Sequence, residues 1–127
     1  MFACVIFPCE GGDSMSTYKL TRNDADAILC ALPLIMNIGP ENPTQAQINA
    51  NSCLTAGSKL YSMSGSLTPN EFRVCSLAVD LALDILHGNT DLACIVGVDA
   101  DWKQELGQWF FTFNRLQPIF DNNIRPR

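Results

Sequence analysis

Residues 68–88 read TPNEFRVCSLAVDLALDILHG, and this stretch decides the fold. Thr68 can accept a hydrogen bond from a free amide one turn on, Pro69 brings a preset φ and no amide to satisfy, and Glu71 can return a bond to the Thr68 amide. These signals predict a helix over 69–87, with Gly88 as the left-handed residue just past its end. At helical spacing, only Arg73, Ser76, Asp80, Asp84 and His87 form a narrow polar arc, and apolar side chains such as Phe72, Val79 and Leu83 cover the rest. A helix apolar on nearly all sides belongs at the centre of a bundle.

The same punctuation recurs on both sides. Thr21 stands three residues before Asp24 and opens a helix over about 22–37, with Ala25, Ile28, Leu29, Leu32, Ile35 and Met36 inward and Pro33 as an internal kink. Asn42-Pro43 opens a second over 43–62, with Cys53, Leu54, Gly57, Leu60 and Tyr61 assigned to its inward stripe. Asp99 caps a last helix over 100–117, with Trp102, Leu106, Trp109, Phe110, Phe113 and Leu116 on one face and Pro118 as its stop. Residues 91–97 fit a short strand or a short helix, and with no partner strand in view the helix is the better reading. The expected fold is therefore all-α: a compact four-helix bundle with a short extra helical segment at 91–97.

Size and charge narrow the function classes. A chain of 127 residues suits one domain, and the longest apolar run, interrupted by Pro33, is too short for a membrane span. Residues 1–14 lack the basic start and cleavage site of a secretory signal. Glu10-Gly11-Gly12-Asp13 can be encoded by a purine-rich ribosome-binding run ahead of Met15, so 1–14 read as a disordered leader or mistaken upstream translation, 15–121 as the domain and 122–127 as a frayed tail. Starting at Met15 changes the balance from 13 acidic against 8 basic residues to 11 against 8. Either way the mildly acidic chain, with scattered basic residues, lacks the clustered Lys and Arg that phosphate backbones demand. Neither a nucleic acid nor a membrane is expected as partner, and the expected location is the cytoplasm.

Candidate chemistry is sparse. Cys30, Cys53, Cys75 and Cys94 fall one per helical segment, as small core residues do in a reducing compartment, and Cys4 and Cys9 lack the two-residue gap of a zinc knuckle. Asp84 and His87 with Asp80 resemble one arm of a carboxylate-bridged di-metal bundle, yet no second Asp-x-x-His or Glu-x-x-His exists. There is one histidine, no Gly-x-Ser-x-Gly turn and no phosphate-binding glycine loop. No catalytic residue, metal or cofactor is expected.

Two surfaces are unusual. Phe111 lies opposite the Trp102–Phe113 stripe among Gln104, Gln108 and Arg115, where an exposed aromatic is unexpected: it either anchors a partner or packs under the Ile119-Phe120 segment or a neighbouring helix. The outer face of the second helix, with Ile48, Ser52 and Thr55, is neutral, as suits a buried interface. The expectation is a non-enzymatic interaction, accessory or inhibitor protein of a bacterial or phage genome, docking on another protein or on a second copy of itself as a homodimer. The alternative is a helical bundle binding a small molecule or metal through Arg73, Ser76, Asp80, Asp84 and His87.

Overall fold

Prolines and capping residues set most element boundaries in the computed structural model, which describes residues 5–8, 17–38 and 42–124. Two short strands, β1 (Val5–Pro8) and β2 (Thr17–Leu20), precede α1 (Arg22–Ala31), α2 (Pro33–Asn37), α3 (Pro43–Ser62), α4 (Pro69–Leu86), α5 (Thr90–Val96), α6 (Ala100–Gln108) and α7 (Phe110–Ile124). The strands pair antiparallel with Val5 opposite Leu20. Apart from Val5–Pro8, the proposed leader over 1–14 lies outside the described residues, as do Met15 and the tail beyond Ile124.

The signals at Thr68 produce the predicted central helix. The Glu71 amide donates to Thr68 Oγ1 at 3.2 Å, and the Thr68 amide donates to Glu71 Oε1 at 2.7 Å, so both halves of the capping box form. α4 then packs against all six other helices among the described residues. Phe72, Val74, Ala78, Val79, Ala82, Leu83 and Ile85 are buried along it, and Phe113, Leu116 and Phe120 of α7 join the same core. The caps expected at Thr21, Asn42 and Asp99 also form, and Asn89 caps α5, so the ambiguous stretch is helix from Thr90 to Val96 with Gly97 as its left-handed end.

The helical class stands, but the four-helix count does not. The first predicted helix divides at Leu32 because Pro33 has no amide hydrogen to give the preceding turn. The last divides at Trp109, whose amide makes a tight bond to the Leu106 carbonyl at 3.0 Å just after Gly107, the weakest helix former in that segment. Pro118, expected as a stop, sits inside α7. Its ring is exposed, and the Asn114 carbonyl deprived of a donor belongs to an exposed residue where water can replace it.

α3 is rotated from its predicted orientation. Ser52, Cys53, Ala56 and Leu60 are buried, whereas Leu54 and Tyr61, assigned inward, are 69% and 78% exposed. The cause is polar. Glu71 is buried at the start of α4, and Lys59 Nζ donates to its Oε1 at 2.6 Å and to the Ser66 carbonyl at 2.8 Å. Turning Lys59 toward that carboxylate carries Ser52, Thr55 and Ala56 round with it, because they lie one and two turns back on the same face. Met36 likewise leaves its assigned stripe and stands 54% exposed, since α2 starts afresh after the break.

Candidate functional site

Phe111 is 84% exposed at the start of α7, so of the two alternatives the packed one does not hold. Its ring rests edge-on against Phe110, with centroids 5.8 Å apart, and Phe110 in turn meets His87 at 5.7 Å in a T-shaped contact. The aromatic is thus held from below and presented to solvent. Gln104 and Gln108 are exposed as well. Arg115 is committed within the chain, because Nη2 donates to Oδ1 of Asp24, a fully buried carboxylate that also completes the Thr21 capping box. The α3 part of the predicted surface dissolves: Ser52 is buried, Ile48 is half-buried, and Thr55, though exposed, bears on Glu71 through its hydroxyl.

The α4 arc is also only partly assembled. Arg73 bonds Asn70 at 2.9 Å, Asp84 and His87 are exposed, and Ser76 is buried, with Leu77 taking its place at the surface. Ser76 lies nearer the bundle axis than its polarity suggests because the helix is enclosed from so many sides. Asp80 is half-buried and accepts from Gln117 Nε2 at 2.7 Å. Burial pushes its carboxyl above the usual range, the Gln117 bond opposes this, and the charges of Asp121 and Asp84 reinforce it. Among the described residues no group of three or more His, Cys, Asp or Glu is arranged to hold a metal ion.

The cysteines differ from one another. Cys53 and Cys75 are buried, Cys30 is half-buried and Cys94, expected in the core, is exposed because the solvent side of short α5 carries it. Burial raises the Cys75 thiol far out of the reactive range, with the neighbouring Cys53 and Glu71 charges adding to the effect.

Two concave surfaces escaped the sequence reading. An open depression of about 770 Å³ between α1 and α6 is lined by Asp26, Cys30, Pro33, Trp102, Glu105 and Trp109, with Gln108 also on its wall. It exists because the α1–α2 break frees the Cys30 carbonyl, to which Trp102 Nε1 donates at 3.1 Å, holding α6 beside the break. On the other side of Leu29 and Pro33, an apolar groove of about 250 Å³ runs past Met36 and Leu54 toward α3. The signal for the depression was present in the chain, since Trp102, Glu105 and Trp109 follow a three-then-four spacing on one helical face. In the sequence both indoles also fit the apolar stripe of a core-facing helix. The break at Trp109 leaves each of them half-buried.

No helix among the described residues is long and apolar enough to cross a membrane. No family model matches the chain, and neither does any curated protein or solved structure, so its function is read from these surfaces.

Proposed function

We propose that this chain is a non-enzymatic interaction protein that docks on a protein partner, another protein or a second copy of itself, through the Phe111 end of α7. The observation that carries the proposal is the 84% exposure of Phe111 on a supporting Phe110 ring. An aromatic side chain has few rotamers to lose when it enters a partner's pocket, which is why aromatics dominate interface energetics. Gln104 and Gln108 are neutral exposed neighbours on α6 that a partner can cover at low desolvation cost. The exposed Leu54 and Met36 beside the apolar groove add a second surface that water covers poorly.

The test compares wild type with Phe111→Ser. Because this side chain is outside the core, the substitution should change stability by no more than about 0.5 kcal/mol. Analytical ultracentrifugation over a concentration series should show self-association that Phe111→Ser abolishes, or affinity capture should recover a partner that the variant loses. A wild type that is monomeric throughout, together with identical capture by both forms, would refute the assignment of Phe111 as the anchor.

A further inference from the structure

We propose that the depression between α1 and α6 is a binding site for an organic cation, an alkylated ammonium group seated against Trp102 and Trp109 with Glu105 as its counter-charge. Three features of the site converge on that chemistry. Both indoles line the depression, and an indole face attracts a cation more strongly than any other aromatic side chain. The Trp102 ring is fixed by its bond to the Cys30 carbonyl, so it is organised before a ligand arrives. Glu105 stands three residues after Trp102 and four before Trp109, and among the described residues it has no ion-pair partner.

Other ligand classes fit less well. An anion would meet the charge of Glu105, unpaired among the described residues. A hard metal ion wants several oxygen ligands, but the Asp26 carboxylate is already engaged by Arg22 at 2.7 Å and no three-residue ligand group exists among the described residues. A neutral apolar molecule would strip water from Glu105 and return nothing for it. An alkylated ammonium has apolar methyl groups for Pro33 and the indoles and a diffuse, weakly hydrated charge for the carboxylate. The volume of about 770 Å³ leaves room for the rest of a small molecule or for a side chain with its backbone. The Cys30 thiol, raised by burial and then by the charge of Glu105, stays neutral and adds no competing nucleophile.

The chain's two tryptophans both lie in this one depression, so tryptophan fluorescence reports on the site alone. The probes are choline, its uncharged isostere 3,3-dimethylbutan-1-ol, and a peptide carrying trimethyllysine, titrated at constant ionic strength. Choline should give a saturable fluorescence change in the millimolar range, the isostere none, and Glu105→Gln should raise the half-saturating concentration about threefold to tenfold. Glu105 is exposed, so the variant should keep its fold, which circular dichroism checks. Tighter binding of the peptide than of choline assigns the cation to a protein side chain, and weaker binding assigns it to a free ammonium compound. Equal responses to choline and the isostere, or a Glu105→Gln titration superimposed on wild type, would overturn the proposal.

Discussion

Replacing Lys59 with methionine should damage this protein more than replacing Glu71 with glutamine, although each change breaks the same ion pair. The asymmetry follows from exposure. The Lys59 side chain is 30% exposed and the Glu71 side chain only 4%. Removing Lys59 leaves a buried carboxylate without its counter-charge; breaking a buried pair in this way costs about 3–5 kcal/mol, and partial access of water to this pair brings the expected loss to about 2 kcal/mol. Removing the charge at Glu71 instead leaves an ammonium that can turn to water and keep the Ser66 carbonyl, while Gln retains the cap to the Thr68 amide. That loss should be about 1 kcal/mol. The double variant should therefore be more stable than Lys59→Met alone. Urea unfolding of the four proteins at neutral pH measures all three quantities. A Glu71→Gln loss equal to or larger than that of Lys59→Met, or additive effects in the double variant, would refute the argument.

The pair also has a pH signature: burial raises the Glu71 carboxyl, but bonds from Lys59, Thr55 and the Thr68 amide, with the Lys59 charge, outweigh it and hold the group below the usual carboxylate range. The folded value is lower than the unfolded one, so its stabilisation is full above the ordinary carboxylate pKa and disappears as pH falls through the lowered value. The wild type minus Glu71→Gln difference should shrink across that acid window.

Asp80 has the opposite sign. Its folded value is raised, so its charge costs stability as pH rises through that value, and Asp80→Asn should gain about 0.5 kcal/mol at neutral pH and nothing in acid, as thermal melts at the two pH values will show. Gly57→Ala should stabilise by about 0.5–1 kcal/mol, because the new Cβ sits in ordinary contact with Leu29 at 3.9 Å and a helix interior favours Ala. At Gly88, with φ of +103°, Ala should instead destabilise by about 1 kcal/mol; a loss at Gly57 or a gain at Gly88 in the same urea assay would contradict these assignments.

Local chemistry was legible in the chain. Thr21, Asn42, Thr68 and Asp99 each announce a helix by a bond to an amide two or three residues away, and each makes that bond. The rotation of α3 was not legible. Ala46, Ala50, Cys53, Leu54, Ala56, Gly57, Leu60 and Tyr61 spread apolar side chains over much of its circumference, so periodicity alone could not choose a face. The choice is made by Glu71, twelve residues from Lys59 and on another helix. Of the candidate site, Phe111 was visible because one aromatic stood among polar neighbours. The tryptophan depression was hidden because it depends on two helix breaks, at Pro33 and Trp109, and on where these place α1 against α6.

The position of α4 at the centre carries a consequence for synthesis. α7, which covers α4 with Phe113, Leu116 and Phe120, ends 38 residues after α4 does. At about 5–20 residues per second, the ribosome completes α7 roughly 2–8 s after α4. Until α7 docks, α4 has α3 and α1 to lie against but lacks its last cover. Phe72, whose ring meets Phe120 at 4.9 Å, is the part of α4 that waits for α7 before it can be covered.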